Sequence, residues 1–324
     1  MDYKNKKILI TGGTGLIGTA LTEILIKEGA KITIASLDNV KKKLKNVEYK
    51  KIDLRSFDNC KIIAKNKDGI FHLAGIKGSP QMMKKRPSDF FVPLIQFNTN
   101  MIEASRLANV KFFLYASSIG VYSPAKIFKE NSVWRTFPSP NDIYGGWAKR
   151  MGELQIQSYI DQYKLKNFYI VRPANVFGPR DNFDVVSAMV IPTLINKFSA
   201  AKKYEKISLH GDGSQIRDFI FSYDCANGML FVVKNKITKP VNLGSGKGVS
   251  IKRIVNILNN IYKEKKIKIH WKKNFSGDKK RLMDMSYMHK LGFKSNYTME
   301  QAIKITANWF EKNNKIYKDR YKYF

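Results

Sequence analysis

Hydrophobic positions fall along this chain in two rhythms. Residues 7–11 (KILIT) form a short apolar run, GGTGLIG follows, and over 19–27 apolar Ala20, Leu21, Ile24 and Leu25 recur at helical spacing. That order predicts a strand, a glycine turn and a helix. Further apolar runs at 31–35 (KITIA), 69–73 (GIFHL), 111–116 (KFFLYA) and 168–171 (FYIV) read as strands, with helix-like stretches between several of them. Strands alternating with helices predict an α/β chain built on a doubly wound parallel sheet. Beyond Pro173 the pattern turns irregular: 207–209, 219–221 and 241–243 look like strands separated by short helices, and the last ~80 residues read as a helix-rich cap. No repeat or Pro/Gly/Ser linker is visible, so a second lobe must grow from insertions into the first. The expected bodies are 1–176 with about 214–246, and a smaller irregular C-terminal lobe over about 177–213 and 247–324.

Composition changes this picture little. A length of 324 residues suits one large domain or two lobes, and 44% apolar with 26% charged residues excludes disordered, collagenous and coiled-coil chains. The opening MDYKNKK is polar, and no apolar run of membrane-spanning length occurs, so neither export nor a membrane span is expected. Lys and Arg total 58 against 26 Asp and Glu, a net charge of +32. The excess is mostly Lys and is scattered from end to end, so it reads as solvated faces more than as a nucleic-acid surface. A small anionic substrate still benefits from such a field. Cys60 and Cys225 stand far apart without metal or disulfide spacing, which fits a reducing cytoplasm. No metal is expected, because His210, His270 and His289 lack a second ligand at metal spacing; His72, in an apolar strand, reads as a core histidine.

The candidate chemistry begins at TGGTGLIG. Gly12, Gly15 and Gly18 follow a strand and open a helix, the context in which a glycine fingerprint binds a dinucleotide in a Rossmann-type sheet. The first glycine permits the turn, the second admits a pyrophosphate, the third lets the helix pack close, and the helix start offers free N–H groups. The acid that usually holds the adenosine ribose is missing: Ser36 stands at the end of the second strand. A serine does not repel a 2′-phosphate and Lys41 to Lys43 lie just downstream, whereas Asp38 could still reach a ribose. The cofactor expectation is therefore NADP or NAD, leaning to NADP. Asp53, in KIDLRS, suits an adenine-side contact or a helix N-cap.

With these residues the chain resembles the extended short-chain dehydrogenase/reductase family, in its nucleotide-sugar epimerase/dehydratase branch. TGGTGLIG, FHLAGIK (71–77), SSIGVY (117–122), a Tyr and Lys at 144–149, RPANVFGPRDNF (172–183), VIP (190–192), GDGSQIRDF (211–219), VNLGSG (241–246) and KKRLMD (279–284) carry the resemblance over nearly the whole chain. It implies a dinucleotide-binding body, a nucleotide-sugar-binding lobe, and hydride exchange between nicotinamide and a hexose carbon while a tyrosine handles the hydroxyl proton. Ser118, Tyr144 and Lys149 are the implied catalytic residues, with the Lys149 ammonium favouring phenolate. A strand-end serine that caps backbone is the other reading of Ser118. Implied cofactor contacts come from Gly12, Gly15, Leu16, Ile17, Gly18, Ser36, Asp38, Asp53, Leu54, Leu73, Ala74, Gly75, Lys77, Asn98, Lys149 and Pro173. Implied substrate contacts are Lys77, Ser118, Asn175, Arg217 and Arg281, the arginines forking onto a diphosphate unless they only bridge salt at the surface. The helical stretches 89–108 and 147–163 correspond to the pair that forms a four-helix homodimer contact in relatives.

Two departures leave alternatives open. The family's YxxxK spacing puts both side chains on one helical face, but YGGWAK sets Tyr144 five residues before Lys149, about 140° round a regular helix. Either Gly145 and Gly146 permit a bulge that absorbs the extra residue, or tyrosine catalysis is lost or moved. Members that epimerise the carbons flanking a ketone use a cysteine and a histidine, and Gly120 and Met189 stand there instead. Neither transfers a proton, which leaves oxidation, reduction or inversion at carbon 4 of a GDP-, UDP- or dTDP-hexose. An inactive nucleotide-sugar binding module and a basic RNA-binding protein on the same fold are the rival readings.

Overall fold

Seven short strands line up in parallel, and all but the edge strand Val47–Lys51 (VEYKK) are apolar enough to be covered on both faces. The computed structural model describes residues 2–40, 43–76, 80–184, 187–272 and 279–314. In chain order the first body runs β1 (Lys7–Thr11), α1 (Leu16–Lys27), β2 (Lys31–Ser36), β3 (Val47–Lys51), α2 (Phe57–Ala64), β4 (Gly69–His72), α3 (Pro80–Lys85), α4 (Pro87–Leu107) and β5 (Phe112–Ala116). It continues through β6 (Ile127–Phe128), α5 (Ile143–Tyr163), β7 (Phe168–Pro173) and β8 (Asn175–Phe177). Then come α6 (Val190–Ala200), β9 (Lys206–His210), β10 (Ile216–Phe221), α7 (Ser222–Lys234), β11 (Val241–Leu243) and β12 (Gly248–Ser250). The last part holds α8 (Ile251–Ile261), β13 (Lys268–Lys272), β14 (Lys280–Met283), α9 (Ser286–Lys290) and α10 (Met299–Asn313).

The main sheet has the order β3-β2-β1-β4-β5-β7-β11, every pair parallel. Strand order reverses between β1 and β4, so the loops leaving their carboxyl ends diverge and open a crevice there. One face is buried under α1 and α7 through Leu21, Leu25, Met229 and Val233. The other lies under α2, α4 and α5 through Ile63, Leu94, Met101 and Ile156. This is the Rossmann-type, doubly wound sheet that the alternating pattern predicts. Among the described residues no helix is long and apolar enough to cross a membrane.

The smaller lobe has its own core, with Ile195, Phe198, Leu258, Ile303 and Phe310 of α6, α8 and α10 packed together. Strand β10 joins it to a second sheet, pairing antiparallel with β12 and parallel with β14 and β8, while β14 pairs with β6. Within the stretch 214–246, β10 pairs with β8, β12 and β14, and β11 pairs with β7 in the main sheet. The helix-rich cap expected at the end also contains β12, β13 and β14, because exposed Lys alternates with Ile and Trp in β13, which the parallel strand β9 partners.

One carboxylate fastens the junction. Asp218 in β10 is fully buried and accepts from Ser245 N (2.8 Å), Ser245 Oγ (2.7 Å), Gly246 N (3.1 Å) and Met283 N (3.3 Å). Burial still pushes its carboxyl above the ordinary range, against these four donors.

Candidate active site

The glycine turn is shaped by two close approaches. Gly12 sits at φ +67°, and a Cβ there would lie 3.0 Å from the backbone of Ala74. At Gly18 a Cβ would come within 2.5 Å of Gly12 O, so only glycine lets α1 start so near the turn. Gly15 caps α1 in an extended conformation without a side-chain bond, and the first turn, opened by Leu16, Ile17 and Gly18, carries no acidic residue. Uncapped N–H groups at a helix start suit an anion, so the cradle fits a dinucleotide pyrophosphate.

The adenosine end is built on Ser36, whose Oγ bonds Thr14 Oγ1 at 2.9 Å and accepts from Asp38 N at 3.1 Å. Beside it lies a cleft of about 240 Å³ lined by Ser36, Asp38, Lys43, Tyr49 and Lys51. Lys41 and Lys42 lie outside the described residues. Asp53 is engaged by the Arg55 guanidinium at 2.6 Å, which holds its carboxyl below the usual range. It is not the cap of α2: that role belongs to Ser56, which accepts from Asn59 N. Leu54 is buried, and its carbonyl accepts from Asn100 Nδ2.

After β4, Leu73, Ala74 and Gly75 run along the crevice beside the turn. Leu73 N donates to Thr11 O and Ala74 N to Thr11 Oγ1, both at 3.2 Å. The Thr11 hydroxyl donates to His72 Nδ1 at 2.7 Å, and His72 Nε2 pairs with Asn98 Oδ1 at 3.0 Å, an arrangement that assigns the ring proton to Nε2. Burial, reinforced by the Lys149 charge, pushes His72 down to about 3, so the ring is neutral. Asn98 is 1% exposed, and its Nδ2 has no hydrogen-bond partner. It is thus tied to His72 with one donor unused. Lys77 lies outside the described residues.

Two of the residues implied for catalysis, Ser118 and Lys149, lie at the carboxyl end of β5. Ser118 Oγ accepts from Gly120 N at 3.1 Å, the cap of a short 3₁₀ turn. The half-buried Lys149, on α5, donates from Nζ to Ala116 O at 2.8 Å and lies 4.9 Å from the centre of the Tyr115 ring. Burial pulls its ammonium down to about 7, against the opposing charge of Glu153 one turn on. Glu153 is itself held by Arg172 in a fully buried ion pair, Oε1 to Nε at 2.9 Å and Oε2 to Nη2 at 2.6 Å, and by the Ser117 hydroxyl.

Tyr144 does not join them. Helix α5 is α-helical throughout from Ile143, its first turn closed by Gly146 N on Asp142 O, and it contains no bulge. The expectation that two glycines would absorb the extra residue is corrected here, and the helix begins four residues before the expected Trp147. Tyr144 is 46% exposed with its ring edge-on to Phe91. Gly145 stands one turn before Lys149, and a Cβ built on it meets no atom within 4 Å. Gly146 serves packing instead: a Cβ there would lie 2.3 Å from Gly120 O.

At the lobe side, β10 and β14 pair with Arg217 directly opposite Arg281. Arg281 Nη2 donates to Asp142 Oδ2 at 3.0 Å, and its guanidinium lies over the Phe128 ring. Arg217 Nη1 donates to Ile216 O, and Asn175 Nδ2 donates to Asp218 O at 2.8 Å. Pro173 closes β7 against Leu243. Gly120 faces Ser118 and Asp142, and Met189 is exposed at the start of α6. Among the described residues no group of three His, Cys, Asp or Glu stands close enough to hold a metal ion.

Sequence reasoning missed Asp142, Glu153, Arg172 and Asp218. Glu153 had a signal, since it stands four residues after Lys149 and so shares its helix face. Asp142, directly before α5, offered a weaker one.

Residues 8–244 match the sequence model of the NAD dependent epimerase/dehydratase family. A GDP-L-fucose synthase of Sinorhizobium fredii is 31% identical over 78% of this chain and 79% of its own length. A GDP-mannose 3,5-epimerase of Arabidopsis thaliana is 27% identical over 95% of this chain and 83% of its own. Among solved structures, a UDP-N-acetylglucosamine 4-epimerase from Methanobrevibacter ruminantium in complex with UDP-N-acetylmuramic acid superposes with a TM-score of 0.82 at 28% identity, covering 96% of this chain and 99% of that one.

Proposed function

The chain belongs to the NAD dependent epimerase/dehydratase family, and from that premise we propose that it exchanges a hydride at carbon 4 of a nucleotide-diphosphate hexose. It acts as a 4-epimerase or 4-ketoreductase, with a GDP-linked sugar suggested by the curated relatives. The observation that carries this reading is the continuous link from Arg217 and Arg281, side by side on β10 and β14, through Asp142 to the helix that bears Lys149. An arginine pair matches the charge of a diphosphate, and the bond from Arg281 to Asp142 at the head of α5 supports a sugar directed toward Lys149.

When bound, the nicotinamide supplies or takes the hydride. The protein's part is to clasp the dinucleotide at the start of α1, to orient a sugar oxygen with the Ser118 hydroxyl, and to keep Lys149 beside it at the end of β5. Gly120 and Met189 carry no group able to move a proton at the carbons flanking a ketone, which favours carbon 4 over a 3,5-epimerisation. Ser36 with Lys43 and Lys51 favours NADP, since lysines suit a 2′-phosphate, while Asp38 in the same cleft is the carboxylate that a ribose of NAD would use. Exposed Val92 and Leu107 on α4 and Leu154 on α5 are the apolar side chains that a homodimer contact through these helices would cover.

The test is mass spectrometry of the small molecules that leave the purified protein on denaturation, followed by absorbance at the nicotinamide band with the matching sugar nucleotide. NADP(H) or NAD(H) with turnover of a hexose derivative is the expected result. Tight binding of both ligands with neither an absorbance change nor conversion of the sugar nucleotide to a second sugar by chromatography would establish a binding module instead.

A further inference from the structure

Every group near the reacting end of the site has a stated place except the proton donor. The expected tyrosine, Tyr144, packs on Phe91 near the surface, five residues from Lys149 on a helix without a bulge. A phenol pointing that way is turned about 140° from the lysine. The position that would face the lysine is Gly145, where the added carbon of any side chain enters open space. Ser118 is too weak an acid for the task, and Asp142 is engaged by Arg281. Lys149 has three N–H donors and directs one of them to Ala116 O, at the carboxyl end of β5 where substrates of such sheets lie.

We propose that Lys149 is itself the proton donor and acceptor of the redox step, reaching the sugar oxygen through the space Gly145 leaves open. The inference rests on the reading of hydride exchange at carbon 4. In the reducing direction the ketone carbon gains the hydride from the reduced nicotinamide, and the carbonyl oxygen takes a proton from the Lys149 ammonium. One C–H and one O–H bond form while the C–H bond of the reduced nicotinamide, the carbonyl π bond and one N–H bond of the ammonium break; the oxidised nicotinamide and a neutral amine remain, and a proton from solvent recharges the amine. Oxidation of the alcohol runs in reverse, the amine taking the hydroxyl proton.

The surroundings suit a lysine that changes charge. Glu153 faces it from the same helix and favours its charged form, although Arg172 shares that carboxylate; from β5 the Tyr115 ring lies beside Nζ; from β4 the nearest titratable group is His72, which is neutral. With its ammonium drawn down to about 7 by burial, Lys149 holds both protonation states near neutral pH.

Two substitutions in the full chain separate this from tyrosine catalysis and from a lysine that only holds ribose. Turnover is followed as NADPH oxidation with a GDP-4-keto-hexose as probe. Tyr144→Phe is expected to keep kcat within about threefold, and Lys149→Arg, which retains charge but cannot release a proton, to bind NADPH normally yet lose at least about 10²-fold in kcat. A loss of about 10²-fold in Tyr144→Phe, or more than a tenth of wild-type kcat in Lys149→Arg, overturns the proposal. In parallel, NMR of isotopically labelled lysine amines, assigned by their loss in Lys149→Arg, follows Lys149 in the full chain. A midpoint near 7 that Tyr144→Phe leaves in place supports the assignment, and a midpoint near the ordinary lysine value overturns it. If the wild type neither oxidises NADPH with this probe nor inverts carbon 4 of a GDP-hexose, the carbon 4 reading fails on its own and the NMR midpoint still decides the state of Lys149.

Discussion

Arg281 on β14 reaches Asp142, 3.0 Å away and directly ahead of α5, and so ties the lobe to the helix that carries Lys149. The pair is partly buried, with 16% and 24% of the two side chains exposed, which shields it from the screening that makes surface pairs weak. Arg281→Ala is expected to raise KM for the sugar nucleotide about 10- to 100-fold, the worth of a hydrogen bond to a charged group, with kcat changed far less. Steady-state kinetics checks this. An unchanged KM would remove Arg281 from the diphosphate site.

Gly18→Ala tests the cofactor cradle. The new methyl would stand 2.5 Å from Gly12 O and Gly13 Cα, both backbone, so α1 has to shift away from the turn. Overpacking of this kind costs about 1–3 kcal/mol, and we expect a lower Tm together with loss of NADPH binding by calorimetry. Normal binding in this variant would mean that the turn does not hold the pyrophosphate.

Ser36→Asp reverses the lean toward NADP. A carboxylate at the end of β2 accepts from ribose hydroxyls and repels a 2′-phosphate, so the ratio of NADP(H) to NAD(H) affinity should fall by at least about tenfold. Fluorescence titration of both reduced cofactors measures it, and an unmoved ratio would place the adenosine ribose elsewhere.

His72 makes stability depend on pH in a defined window. Its folded value of about 3 lies below the ordinary 6.5, so the unfolded chain binds more protons between the two. The contribution of the neutral ring is therefore fully present above 6.5 and is lost as pH falls toward 3, at no more than about 1.4 kcal/mol per pH unit. Urea unfolding at pH 7 and pH 5 should show a steeper acid loss in the wild type than in His72→Gln. Equal slopes would contradict the buried neutral assignment.

Glu153 and Arg172 are buried together, and removing one leaves the other charged and unmatched. Glu153→Gln should cost about 3–5 kcal/mol in urea unfolding, whereas replacing both by apolar residues of similar volume should cost much less. A small loss in the single variant would show that Arg172 finds another partner.

The parts of the site that were legible are those whose chemistry is local. The turn from Gly12 to Gly18 follows from backbone geometry inside one short segment, and Ser36 from its count beyond that segment. Arg217 and Arg281 were visible singly, but their adjacency depends on the parallel register of β10 with β14, which no local pattern encodes. Asp218 was hidden for the same reason, since its donors come from residues 245, 246 and 283. The glycines at 145 and 146 looked alike, and only packing separates them: one abuts Gly120 O and the other faces open space. A bulge was a fair expectation from flexibility, but α5 had to run straight for Gly146 to meet that carbonyl.

Asp218 has a mechanical consequence. Its two oxygens gather the tail of β11 and the edge of β14 onto β10, inside a dry core. Swinging the lobe outward like a jaw would tear the three bonds from Ser245 and Gly246 off a buried carboxylate, whereas the bond from Met283 moves with the paired strands β10 and β14. The angle between lobe and main sheet is thereby pinned at a single buried side chain.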